Sequence, residues 1–337
     1  MSIRHQVAAF PQSKTMMEDA LRPITNLAAG LACALALALP TGAMAQDSDA
    51  ARAAYDAMPN GPGTGPFAAV MVEDPGLANH VIYRPADLAR AGKLGVLVWG
   101  NGGCRDDGAS ARQHLLEIAS HGYLVIAPGR VLSGPGATAK PAPRSPDAAT
   151  GKLPPVATTT ADVLAGLDWA MTENTRKGSA LNGRIDANAV AVAGHSCGGL
   201  QAIQAAADTR IRAVIVHNSG VFTDGTNPIS GMSVDKSLLA KFHTPVLYVL
   251  GGPDDVAWPN GTDDYRRIAH VPAAMVSLPV GHGGTFRTAN GGAVAALSLD
   301  WLEWQLRSDM AAERTFKGAN CRLCVVPGWT IEKKGID

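Results

Sequence analysis

The chain has 337 residues, 29 Lys and Arg against 29 Asp and Glu, a formal net charge of +0 at pH 7 and 46% hydrophobic residues. Balanced charge supplies neither the cationic excess that neutralises nucleic-acid phosphates nor a polybasic address for anionic lipid. Nucleic-acid partners and electrostatic membrane attachment are therefore not expected.

Leu27 to Leu39 is an uncharged apolar run that follows Arg22. It falls short of the ~20 residues a membrane-spanning helix needs, and Ala43-Met44-Ala45 offers a small-residue cleavage site just beyond it. The pattern predicts a signal peptide over residues 1–45, a single domain over residues 46–337, no membrane anchor, and a secreted or periplasmic location. Cys104, Cys197, Cys321 and Cys324 remain after cleavage. An even number of cysteines in an exported chain favours disulfides, and three full pairings are open.

Beyond the leader, short apolar runs alternate with longer amphipathic ones. The first predicted strands, Ala68–Val72 and His80–Tyr83, have no helix between them and read as an antiparallel entry to a sheet. Strand Gly95–Trp99, helix Ala109–Ser120 and strand Tyr123–Ala127 follow. The Pro- and Gly-rich stretch Pro128–Pro155 reads as a surface loop. Helix Thr160–Thr172, strand Ala189–Ala193, helix Gly198–Ala207 and strand Ala213–Val216 come next. The chain closes with strand Val246–Leu250, helix Asp263–His270, strand Ala274–Leu278 and helix Ala293–Ser308. Val- and Ile-rich strands separated by helices predict an α/β fold with a mostly parallel sheet covered on both faces. The roughly thirty residues between Val216 and Val246 are too few for a large cap.

Chemistry concentrates at strand ends. Gly194-His195-Ser196-Cys197-Gly198 is a G-x-S-x-G pattern between a strand and a helix, where a tight turn lifts the serine hydroxyl above the sheet edge. A serine hydroxyl is a poor nucleophile without a base, and the base needs an orienting acid. Downstream, Asp254 and Asp255 end one late strand and His282 ends the next. Asp255 is the expected acid over Asp254, and His282 is the expected base. His195 is read as pointing elsewhere. An oxyanion hole needs two backbone N–H donors: one is expected from Cys197, the other from the loop Gly100-Asn101-Gly102-Gly103-Cys104. That loop lacks the third glycine of a dinucleotide motif, since Arg105 stands there. No metal or cofactor is expected. Cys321 and Cys324 are expected to form a local structural bridge. Trp301 and Trp304 read as core, and Trp258 and Phe286, with Phe222 behind them, as pocket walls.

These motifs, with GRIDANAVAVAG before the turn, IASHGYLVIAP, the late GGPDD and GHGG, and the closing SLDWLEWQLRSD, resemble the α/β-hydrolase superfamily over about Gly65 to Cys324. More narrowly they resemble its cutinase-like polyester hydrolase and dienelactone hydrolase branch. The resemblance implies an α/β-hydrolase fold, with Ser196 as nucleophile, Asp255 as acid, His282 as base and Cys104 as second oxyanion residue. Polyester hydrolases carry an aromatic residue where Cys104 stands, a Met where Cys197 stands and a Trp near Gly220 that grips an aromatic ester; all three are missing here, so the resemblance implies ester hydrolysis but not cleavage of aromatic polyesters. Dienelactone hydrolases carry Cys at the elbow itself, which makes a Cys197 thiol nucleophile an alternative. With cysteines at both oxyanion positions, a Cys104–Cys197 disulfide is expected to lock the hole. The expected activity is hydrolysis of a small-molecule or polymeric carboxylic ester. The alternatives are a peptidase or amidase on the same triad, or a non-catalytic binding protein on this scaffold.

Overall fold

The computed structural model describes residues 50–137, 155–223, 225 and 227–337. The predicted signal peptide and most of the predicted 128–155 loop lie outside the described residues. The strands are β1 (Ala69–Asp74), β2 (Leu77–Pro85), β3 (Leu94–Gly100), β4 (Tyr123–Pro128), β5 (Ile185–His195), β6 (Ala213–His217), β7 (Val246–Leu250), β8 (Ala273–Ser277) and β9 (Thr330–Lys334). The helices that matter for the site are α1 (Arg112–Ser120), α2 (Thr160–Thr175), α3 (Cys197–Ala205), α4 (Trp258–Arg267) and α5 (Gly292–Arg307). Among the described residues, no helix is long and apolar enough to cross a membrane.

All nine strands join one sheet in the order β1-β2-β4-β3-β5-β6-β7-β8-β9. From β4 across to β8 the neighbours are parallel, while β1 with β2, β2 with β4, and β8 with β9 are antiparallel. This is an α/β fold with a mixed, mostly parallel sheet. The central strands LGVLVWG, AVIVH and VLYVL are buried along their whole length, as strands covered on both faces must be. Alternate side chains divide between two cores. Val96, Val98, Val190 and Val192 pack with Val163 and Leu167 of α2 and Leu200 and Ile203 of α3. Leu97, Trp99, Ala191 and Ala193 pack with Leu115 of α1 and Leu297 and Trp301 of α5. Helix α2 starts at a capping box, in which the Thr159 hydroxyl accepts the Asp162 N–H and the Asp162 carboxylate accepts the Thr159 N–H at 2.7 Å.

The departures from expectation have local causes. Strand β5 begins at Ile185, four residues before the apolar run. Helix α4 begins at Trp258, ahead of the expected start at Asp263, with Pro259 in its first turn, where a proline lacks no needed donor. Strand β9, TIEKK, was not expected: it is a half-exposed edge strand with charged side chains and little apolar alternation.

One buried strut steadies the sheet edge where the site lies. Asp264 of α4 is fully buried and accepts the Val221 N–H at 2.8 Å, Lys236 Nζ at 2.6 Å and the Tyr248 hydroxyl at 3.2 Å. Burial raises its carboxyl to about 6, although Lys236 and these donors pull the other way. A folded pKa above the unfolded value means the folded state binds the extra proton, so this carboxyl's contribution to stability falls as pH rises through that window. Lys236→Met strands the carboxylate without its cation. The expected loss is about 3–5 kcal/mol well above pH 6, shrinking as the carboxyl protonates below it; urea denaturation on either side of that value measures the difference.

Candidate active site

Strand β5 ends at His195 and α3 starts at Cys197, leaving Ser196 alone at the turn with φ 55° and ψ −121°. An L-residue pays for positive φ with steric strain of order 1–3 kcal/mol, and the surroundings hold it there. The Ser196 N–H donates to the His217 carbonyl at 2.9 Å, and its own carbonyl accepts the Ser219 hydroxyl at 2.7 Å and the Gly199 N–H at 2.8 Å. Two of the flanking glycines are required by contact. A Cβ on Gly194 would overlap the Gly198 carbonyl, and a Cβ on Gly198 would overlap the carbonyl of Gly100 at the end of β3.

Three loops at the carboxyl ends of β5, β7 and β8 bring Ser196, Asp255 and His282 together. His282 Nε2 lies 2.9 Å from Ser196 Oγ, and His282 Nδ1 lies 2.7 Å from Asp255 Oδ1. Asp255 is buried, whereas Asp254 is exposed, which separates the two aspartates. The Asp255 carboxylate also accepts the Ala257 N–H at 2.9 Å, the Gly251 N–H at 3.0 Å and Asn218 Nδ2 at 2.7 Å. Burial alone would raise its pKa. The hydrogen bond from His282, these two amides and Asn218 overcome that and hold it at about 2, so it is anionic at neutral pH.

The disulfides pair Cys104 with Cys197 and Cys321 with Cys324. The first ties the loop after β3 to the first residue of α3, with both partners buried. It also removes the Cys197 thiol as a nucleophile. The Cys197 N–H sits in the first turn of α3, where helix amides have no intrahelical acceptor. Cys104 departs from the expectation of a free donor. Its N–H closes a tight turn on the Asn101 carbonyl at 2.9 Å, while its own carbonyl accepts the Ala157 and Thr158 amides. A left-handed Gly103 makes that turn, and counting residues from a motif does not see it.

The residues read as pocket walls differ in burial. Phe286 is 5% exposed and belongs to a buried ring cluster, with centroids 4.8 Å from His195, 5.0 Å from His114, 5.4 Å from His217 and 5.7 Å from Trp99. Trp258 and Phe222 are half-buried against the core. Trp301 is buried as expected, and Trp304 packs edge-on against it. A polar cavity of about 490 Å³ lies at the ends of β2 and β4, lined by Asn79, His80, Asp106, Arg130 and Asp162 among others, and no triad residue lines it. Among the described residues, no group of three or more His, Cys, Asp or Glu is placed to hold a metal.

Two residues escaped the sequence reading. Asn218 follows β6 and donates to both Asp255 Oδ2 and the Gly281 carbonyl; His195, read as pointing away, meets the His282 carbonyl at 2.7 Å. Both stand at carboxyl ends of parallel strands, and that position was the signal that could have found them.

A scan against protein-family models finds no match to the chain, and neither does a search of curated proteins.

Beneath the triad, burial lowers His195 to about 4, His114 to about 3, partly opposed by Glu117, and His217 well below its ordinary value. Depressed folded values mean the unfolded chain binds more protons, so stability is full above about pH 6.5 and declines as pH falls toward 4. His114→Phe removes one such group. The pH dependence of its unfolding free energy is expected to be shallower than wild type by up to about 1.4 kcal/mol per pH unit over that window, as measured by denaturant titrations. The Cys104–Cys197 bridge spans 93 residues. Replacing both cysteines with Ala is expected to lower unfolding free energy by about 4 kcal/mol in the same assay.

Proposed function

We propose that the protein is an exported serine hydrolase cleaving carboxylic esters on an α/β-hydrolase fold, akin to the cutinase-like polyester hydrolase and dienelactone hydrolase branch. The observation that carries this reading is the continuous hydrogen-bond chain Asp255–His282–Ser196, at 2.7 and 2.9 Å, hung from a serine at positive φ between strand and helix. The Leu27–Leu39 run and the two disulfides support export.

In this mechanism His282 Nε2 takes the Ser196 proton as Oγ attacks the acyl carbonyl. The imidazole becomes imidazolium, and the Asp255 carboxylate on Nδ1 holds the tautomer and stabilises the charge without accepting the proton. The tetrahedral oxyanion forms beside the first amides of α3, where the Cys197 N–H and the helix dipole favour negative charge. The loop Asn101–Cys104, tied to α3 by the disulfide, is the segment placed to supply the second donor. The disulfide holds the two donor segments at a fixed separation. His282 returns its proton to the departing alkoxide, releasing the alcohol. Water, deprotonated by the same imidazole, then attacks the acyl-serine, and the acid leaves as Ser196 regains its proton. The substrate is a small-molecule or polymeric ester.

Ser196→Ala is expected to lower kcat on a short-chain p-nitrophenyl ester on the order of a million-fold, and Asp255→Asn about 10⁴-fold. Asp254→Asn, at the exposed neighbour, is expected to stay near wild type. Steady-state assays with circular dichroism as the folding control measure all three. Activity retained in folded Ser196→Ala protein would remove the nucleophile assignment, and faster turnover of a matched anilide than of the ester would favour an amidase.

A further inference from the structure

His282 sits in a loop with few restraints of its own, chiefly a turn in which the Gly284 N–H donates to the Gly281 carbonyl at 3.2 Å. Gly281 and Gly283 flank it, and a Cβ at either would meet nothing within 4 Å. The His282 side chain is itself 37% exposed. A base on such a segment needs restraint from outside, because a misplacement of about 1 Å can cost on the order of 100-fold in rate.

That restraint comes from two successive carbonyls. Asn218 Nδ2 donates to the Gly281 carbonyl at 3.1 Å, and His195 Nε2 lies 2.7 Å from the His282 carbonyl. A carbonyl only accepts, so the His195 proton resides on Nε2. Each clamp residue is held in turn. The His195 ring packs 4.8 Å from Phe286 and 5.2 Å from the His282 ring, and its Nδ1 lies so close to Gly102 that a Cβ there would overlap it. The same Asn218 amide group donates to Asp255 Oδ2 at 2.7 Å, and Asn218 takes φ 45° at the end of β6 to do so. Gly281 N–H adds a backbone bond to the Gly251 carbonyl at 2.8 Å.

We propose that His195 and Asn218 are positioning residues, a two-point clamp that grips the loop by the Gly281 and His282 carbonyls and sets the imidazole between Asp255 and Ser196. The His195 side carries the loop from the elbow and the oxyanion segment. The Asn218 side couples it to the acid, so one amide aligns both partners of His282. The inference rests on the hydrolase reading of Ser196, Asp255 and His282.

His195→Phe keeps an aromatic ring against Phe286 and deletes the donor; Asn218→Gly deletes the amide and tolerates the positive φ; His195→Gln restores a donor at similar reach. Each of the first two is expected to lower kcat for a p-nitrophenyl ester by roughly 10- to 100-fold with KM changed less than about threefold, and His195→Gln to recover most of the loss. Proton NMR supplies a readout independent of turnover. The low-field Nδ1–H resonance of His282 is expected to be sharp in wild-type and Ser196→Ala protein and to broaden or vanish in His195→Phe. If His195→Phe does not fold, His195→Gln against His195→Met makes the same comparison. An unchanged kcat with an intact low-field proton, or a Gln variant no better than Phe or Met, would overturn the clamp. Wild-type protein without ester hydrolysis would instead remove the hydrolase reading, while the NMR comparison would still test the clamp.

Discussion

Backbone presses on backbone where β3 ends against the start of α3, and the rest of the site hangs from that contact. Gly100 and Gly198 approach so closely that neither position has room for a Cβ. This lets the chain leave β5, turn through a single left-handed residue and enter a helix while still touching the neighbouring strand. Ser196 is therefore held at the rim by the packing of two main chains, and the Cys104–Cys197 bond ties the same two segments again a few atoms away. A strained φ persists only where its surroundings over-determine it. Here the His217 carbonyl, the Ser219 hydroxyl and the paired glycines do so.

Around this fixed point the charges are arranged by solvation. Asp255 is buried yet anionic, because four donors replace the water it lost. Asp264 is buried more deeply with fewer donors, and its carboxyl rises. The histidines under the triad lie among Trp99, Phe286 and one another, and burial keeps them neutral. Both ring nitrogens of His114 lack a hydrogen-bond partner among the described residues. The floor of the site is thus a block of neutral rings whose stability depends on pH, while the acid above it stays charged.

The α/β alternation was legible because buried parallel strands need continuous apolar runs, and LGVLVWG, AVIVH and VLYVL are such runs. The edge strand β9 was not, because half of a rim strand faces water and its Thr, Glu and Lys carry no apolar period. The order of Ser196, Asp255 and His282, each after a strand, was readable from turn glycines and strand ends. The preference for Asp255 over Asp254 rested on reach; in the structure Asp255 is buried with its carboxylate 2.7 Å from His282 Nδ1, while Asp254 is exposed. Phe286 read differently because its surroundings come from distant segments, and Cys104 because of a local left-handed turn. Phe286 meets rings from β3, α1, β5 and β6, and the Cys104 amide closes a turn on the Asn101 carbonyl through a left-handed glycine.

By itself the sequence determined the fold class and the strand–turn–helix at Ser196, since these follow from local apolar period and local φ demands. Only the tertiary structure decided that Ser196, His282 and Asp255 lie within hydrogen-bond reach, and that His195 and Asn218 reach the carbonyls of the His282 loop. Those outcomes depend on which strand ends lie side by side. The sheet order places β3, β5, β6, β7 and β8 in one row, and hydrogen bonds between their loops have directions that no local window of sequence contains.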